Sequence, residues 1–262
     1  MSAVRRPVAA GHFYPADPGE LAALVDRLFG DAHEPALPAG ELRALVVPHA
    51  GYRYSGAVAA AGFVAIAAGM PDLRVALLGP SHFAPIQGPA ITEADVWETP
   101  LGSVPVDRAL RAAALEAGAV AHEGPHGNDH ALEVELPFLQ RRAGRGLRIV
   151  PIAIGSGGGT AELLAALASR ALIVVSSDLS HYHEEPVARR LDLRTAQSVI
   201  ARDDAAVGDF DACGVHALRA LLRHARRECW TGTLLDLRTS ADAGGDRGQV
   251  VGYAAFAFTA AD

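Results

Sequence analysis

The chain has 262 residues, half of them hydrophobic and a fifth charged, with a formal net charge of −7. That composition excludes a disordered or collagen-like chain, and the acidic balance argues against a nucleic-acid-binding face. All 23 basic residues are arginine, which excludes a lysine Schiff base and a P-loop lysine. Apolar runs then alternate with Ala/Leu-rich segments along the chain. A strand is expected at 42–47, a helix at 55–68, a second strand at 74–78 and a helix at 108–117. A third strand follows at 148–154, with Thr160 expected to cap a helix at 161–169. A fourth strand is expected at 171–175, then helices at 185–202 and 215–226. Strands at 230–238 and 250–259 close the pattern, joined through the Gly-rich turn 244–248. Continuous apolar strands between helices predict an α/β fold, a three-layer αβα sandwich around a mostly parallel mixed sheet. No composition break divides the chain, so residues 1–262 are expected to form one domain.

With only Cys213 and Cys229, and no dense disulfide framework, the chain is expected to be cytoplasmic and reduced. Residues 1–14 carry Arg5 and Arg6 but then Pro7 and no apolar stretch, unlike a signal peptide. The longest soft apolar run, 57–70, is shorter than the roughly 20 residues a membrane span needs. Neither membrane nor nucleic acid is an expected partner.

Eleven histidines carry most of the functional information. His49, His82 and His181 each follow an apolar strand, beside Gly, Pro or Ser. Ligands of open parallel sheets bind beyond the carboxyl ends of the strands, so three such histidines should meet at one edge. One histidine after a strand is usually a loop residue; three make a site. Asp129-His130 opens the segment Ala131-Leu132-Glu133-Val134-Glu135-Leu136. There Asp129 could orient an imidazole, or cap a helix that Glu133 closes. Cys213 precedes the helix at 215–226, whose N-terminus would favour a thiolate, although a buried structural cysteine is the plainer reading. Two imidazoles and one thiolate or carboxylate suit non-haem Fe(II), Zn(II) or copper.

Several features compete for attention. His181 and His183 form a weaker metal signal. The run Gly155-Ser156-Gly157-Gly158-Gly159-Thr160 lacks P-loop spacing and reads as a turn. Ser176, Ser177, Asp178 and His181 suggest a triad, but no nucleophile-elbow motif is present. Trp97-Glu98-Thr99-Pro100-Leu101-Gly102 is either a core anchor or a pocket wall.

Taken in order, these motifs resemble the Memo family, called AmmeMemoRadiSam system protein B in bacteria and archaea. The resemblance runs from Arg6-Pro7-Val8-Ala9-Ala10-Gly11-His12-Phe13-Tyr14-Pro15 through Pro48-His49-Ala50-Gly51-Tyr52 and Gly79-Pro80-Ser81-His82. It continues through Trp97-Glu98-Thr99-Pro100, Asp129-His130-Ala131-Leu132-Glu133 and Ser177-Asp178-Leu179-Ser180-His181-Tyr182, and closes with Cys213-Gly214 and Gly252-Tyr253. It implies a fold like that of LigB-type class III extradiol dioxygenases, which hold Fe(II) with two histidines and a carboxylate. By that resemblance His49 and His82 are metal ligands and Cys213 replaces the carboxylate. His181 and His130 would move protons, with Asp178 orienting His181. The implied activity is that of a dioxygenase-like oxidoreductase with iron, and the implied partner is a small molecule, with phenols the first candidates, or a peptide. The thiolate shifts preference toward copper or zinc, and the alternatives are a non-catalytic protein that binds metal (iron or copper) or a peptide on the same fold, or a zinc hydrolase. The family name also implies a radical SAM enzyme as partner.

Overall fold

Strands buried on both faces must be apolar at nearly every position, and the central strands here are. The computed structural model describes residues 3–261. It begins with β1 (Val4–Arg5), α1 (Pro18–Asp31), β2 (Glu41–Val47), α2 (Tyr52–Phe63), β3 (Arg74–Pro80), β4 (Pro89–Ile91), β5 (Val96–Thr99) and β6 (Gly102–Pro105). The middle holds α3 (Arg108–Glu116), β7 (Val120–Ala121), α4 (Gly124–Gly127), a 3-10 turn (Glu133–Glu135), α5 (Leu136–Arg142), β8 (Arg148–Ile154) and α6 (Thr160–Leu167). The chain continues through β9 (Leu172–Ser176), β10 (His181–His183), α7 (Glu185–Ala201), α8 (Val215–Arg227), β11 (Thr231–Thr239), a second 3-10 turn (Ser240–Ala243) and β12 (Val250–Ala260).

The main sheet runs β10-β12-β2-β9-β3-β8-β4-β7, with β11 on the other edge of β12. Strands β2, β9, β3 and β8 are parallel; β12 and β4 flank them antiparallel. A small second sheet has the order β1-β5-β6. Alternate side chains of the central strands feed two cores. Val46, Leu78, Ile152 and Val175 pack with α3, α6, α7 and α8 on one face. Leu45, Leu77, Ile149 and Val174 pack with α1, α2, α5 and the small sheet on the other. The result is the expected three-layer αβα sandwich around a mixed sheet. Among the described residues no helix is long and apolar enough to cross a membrane.

Most expected elements stand where the pattern put them, with ends shifted by a residue or two. The helix expected at 55–68 is the main exception, running Tyr52–Phe63. It starts a turn early because the Tyr52 N–H donates to the Phe13 carbonyl at 2.8 Å. It stops early because the Arg142 guanidinium takes the carbonyls of Val64 and Ile66 at 2.7 and 2.5 Å. Thr160 is not the cap of α6: Gly159, at φ 94°, holds that position, and the buried Thr160 hydroxyl has no hydrogen-bond partner among the described residues. The Gly-rich turn beside it packs on the 86–88 loop, where the Gly88 N–H donates to the Ser156 carbonyl at 2.7 Å. The sequence pattern did not yield α1 or the small sheet, although Asp17 caps α1 by accepting from the Glu20 N–H at 2.9 Å.

Candidate metal centre

The parallel strands deliver the site because they end level with one another. Val47 of β2 pairs with Ser176 of β9, and Val175 pairs with Leu78 of β3. The chains leaving these strands therefore carry His49, Ser177-Asp178 and His82 to one edge. The segment leading into α8 brings Cys213 to the same edge. It is stitched to the β9 loop by three bonds. The Cys213 N–H donates to the Asp178 carbonyl at 3.2 Å, the Asp178 N–H to Cys213 Sγ at 3.2 Å, and the Gly214 N–H to Ser177 Oγ at 2.9 Å. Gly214 must be glycine here, since a Cβ would fall 2.8 Å from the Ser177 side chain.

The side chains then converge. Cys213 Sγ lies 3.3 Å from His49 Nε2. The His49 and His82 rings sit 5.2 Å apart, edge to face. One ligand atom from each of His49, His82 and Cys213 lies within 4.8 Å of the others, so the three could hold one metal ion. The rear nitrogen of each imidazole is engaged: His49 Nδ1 faces Ser176 Oγ at 2.8 Å and His82 Nδ1 faces Asp129 Oδ1 at 3.1 Å. Metal-binding histidines are typically oriented in this way, and the donor set fits a borderline or soft divalent ion.

A second group, His82, Asp129 and His130, has the same proximity. Its carboxylate is already spent. Asp129 Oδ2 accepts the His82 N–H at 2.6 Å, and Oδ1 accepts the Ala131 N–H at 3.0 Å besides facing the His82 ring. Burial opposes the Asp129 carboxylate, but these bonds outweigh it and bring the group down to about 2. Asp129 therefore orients His82, and His130 stands 3.9 Å off. The His130 ring lies parallel to His82 at 5.2 Å and stacks on Phe13 at 4.0 Å. Glu133 does not close a capping box. It is fully buried and takes Arg5 at 2.7 Å, the N–H groups of Val8 and Ala9 at 2.8 Å, and the Tyr14 hydroxyl at 2.5 Å. Arg5 in turn stacks on Trp97 at 4.0 Å, which makes Trp97 a core anchor. This lock ties residues 5–14 to the turn bearing His130.

Burial sets the site's protonation. It pushes His49 well below the usual imidazole range, helped by His82 and His130, and lowers His130 to about 4. It lowers His181 and raises Asp178 to about 7. The Cys213 thiol rises to about 12, burial first and then Asp178, so the helix N-terminus does not by itself hold a thiolate. Asp178 spends one oxygen on the His49 N–H at 2.8 Å, steadying the His49 loop rather than the ring of His181. His181 opens β10 beside Tyr182, a residue 72% exposed and held at φ 61°. His181 lies near the cluster but outside the ligating group, and the exposed His183 belongs to no such group among the described residues. The triad suggested by the sequence does not form, since Ser176 bonds His49 and Ser177 bonds Gly214. Two participants were given no role by the sequence reading, Phe13 and Glu135, and Ser176 was read only as part of a triad. The visible signal was Glu133 and Glu135 standing inside an otherwise apolar stretch.

Fold and site together define an α/β protein with a His/Cys group at the carboxyl edge of its sheet that could hold a metal ion. The family model of Memo-like proteins matches residues 5–257, and the chain belongs to that family. A MEMO1 family protein of Aquifex aeolicus is 37% identical over 273 residues, covering 97% of this chain and 99% of its own. One from Methanopyrus kandleri is 33% identical over 279 residues, covering 97% and 98%. Another, from Methanothermobacter thermautotrophicus, is 33% identical over 278 residues, covering 96% and 99%.

Proposed function

We propose that the chain is a metal-dependent redox enzyme of the non-haem iron type, with His49, His82 and Cys213 as metal ligands. The observation that supports this most is the convergence of those three donors, within 4.8 Å, around an edge where each imidazole is oriented from behind. When bound, Fe(II) would polarise substrate oxygens and supply one-electron chemistry with dioxygen. The chain's own residues do the rest. His130, kept neutral down to about 4 by burial, is available to take a substrate proton at an open face of the site. His181, close enough to His49 and His82 to affect their charge, is the second proton carrier, and Asp178 keeps the His49 loop in place. Phe13 stacks on His130 at 4.0 Å and Phe83 approaches it edge-on at 6.4 Å, an aromatic wall for a phenolic small molecule or a peptide side chain. A radical SAM enzyme is the proposed protein partner, on the family association alone.

The thiolate favours a second reading. Sulfur is softer than a carboxylate oxygen, so copper or zinc could be the resident ion, held for handling rather than turnover. Anaerobic loading with Fe(II), followed by oxygen-electrode assays over a catechol panel, separates the two. The first reading requires iron-dependent oxygen uptake that His181→Ala abolishes while iron stays bound. Tight copper binding with no uptake from any phenol would favour the second.

A further inference from the structure

Behind His49 a chain of buried groups leads away from the site. Ser176 Oγ has three polar neighbours: His49 Nδ1 at 2.8 Å, the Ala131 carbonyl at 2.7 Å and Glu135 Oε1 at 2.8 Å. Ser176 and Glu135 are both fully buried, and Glu135 Oε2 has no hydrogen-bond partner among the described residues. A hydroxyl owns one proton and two lone pairs, so the hydrogen bonds can be counted. If Ser176 gave its proton to His49 Nδ1, its lone pairs would face the Ala131 carbonyl, a pure acceptor. Two oxygens would then meet at 2.7 Å with no hydrogen between them. The proton therefore goes to Ala131, and both other neighbours must donate. His49 carries its hydrogen on Nδ1, and Glu135 donates through Oε1 as a neutral acid. Burial raises Glu135 well above the usual carboxylate range, against the opposing bond to Ser176, which agrees with this count. No cation among the described residues is ion-paired to Glu135, unlike Glu133 two residues away.

We infer that Ser176, held by the neutral acid of Glu135, is the positioning group that fixes His49 as its Nδ1–H tautomer and points the Nε2 lone pair at Cys213. This rests on the reading of His49 as a metal ligand for its purpose, though not for its geometry. A ligating imidazole must present an unprotonated nitrogen, and groups behind ligating histidines commonly set affinity by 10- to 100-fold. Glutamine at position 135 would donate its amide N–H to Ser176 just as the acid O–H does. Alanine at position 176 would remove the acceptor for His49 Nδ1.

Two measurements test this. Nitrogen-15 NMR of the histidine rings in metal-free wild-type protein reports the His49 tautomer without any variant. The Nδ1–H form is expected, and the Nε2–H form would overturn the inference. Anaerobic Co(II) titration against a competing chelator, read through the thiolate-to-cobalt absorption band, reports affinity. Ser176→Ala is expected to weaken Co(II) binding about 10- to 100-fold, while Glu135→Gln stays within about threefold of wild type. Wild-type affinity in Ser176→Ala would overturn the positioning role; a loss in Glu135→Gln as large as that in Ser176→Ala would overturn the neutral-acid donor. If wild type itself binds no Co(II), the metal-centre reading fails, and the NMR result still decides the tautomer.

Discussion

Glu133 and Glu135 lie on one 3-10 turn, both fully buried, and they are opposites. Glu133 is compensated: a guanidinium, two backbone N–H groups and a tyrosine hydroxyl surround it. Glu135 has a single serine hydroxyl and an orphaned oxygen. A buried carboxylate with a full set of donors can stay charged and serve as a structural lock. One without a cation is held neutral, and its proton becomes a donor for a neighbouring group. The turn thus divides its work, Glu133 fastening the N-terminal segment and Glu135 holding the serine behind the histidine of the site.

The comparison can be broken at several points, ranked by expected effect on thermal stability. Arg5→Met should be the most damaging, since it leaves Glu133 buried and unpaired. Breaking one side of a buried pair costs about 3–5 kcal/mol, a fall of roughly 6–10 °C in Tm for a chain this size. An unchanged Tm would remove the lock from the account. Asp107→Ala should cost about 1–2 kcal/mol, because Asp107 caps α3 through the N–H groups of Ala109 and Leu110, both at 2.9 Å. Burial works against the Asp107 carboxylate, but Arg74 and the two cap bonds hold it below its ordinary value. A depressed carboxylate stabilises above its ordinary range and loses that contribution as the pH falls through its lowered value. Thermal melts in acid should therefore show the gap between wild type and Asp107→Ala shrinking; a gap that widens would contradict the assignment.

His82→Ala and Cys213→Ala should lose metal almost completely yet keep a cooperative melting transition in the metal-free protein. A core of this size needs no metal staple, and a collapsed transition in both would make the site structural. The smallest effect is expected for Glu135→Gln, within about 1 kcal/mol by chemical denaturation, as an amide replaces a neutral acid of the same shape. A loss as large as that of Arg5→Met would mean Glu135 is charged and the contrast false.

Much of this was legible before the structure. Runs such as Leu45-Val46-Val47 and Ile173-Val174-Val175 could only be doubly buried strands, and a histidine just past each strand had to lie at the carboxyl edge. Cys213 was suggested by its position ahead of a helix and, through the family resemblance, by its place in the ligand set. What escaped depends on contacts distant in sequence. Arg5 meets Glu133 across 128 positions, and Ser176 meets Glu135 across 41. Asp129 stood beside His130 in the chain, yet its carboxylate went to His82, because neighbours in sequence need not be neighbours in a turn. Helix α2 ran early and stopped early because Phe13 and Arg142, remote in the chain, took its terminal groups.

The central claim is that His49, His82 and Cys213 hold a metal ion. Elemental analysis of untagged protein, purified without oxygen, with wild type beside Cys213→Ala, tests it most directly. About one metal per chain in wild type, with iron favoured by the redox reading, and none in the variant is the predicted result. Equal metal in both proteins, or none in either, would contradict the account.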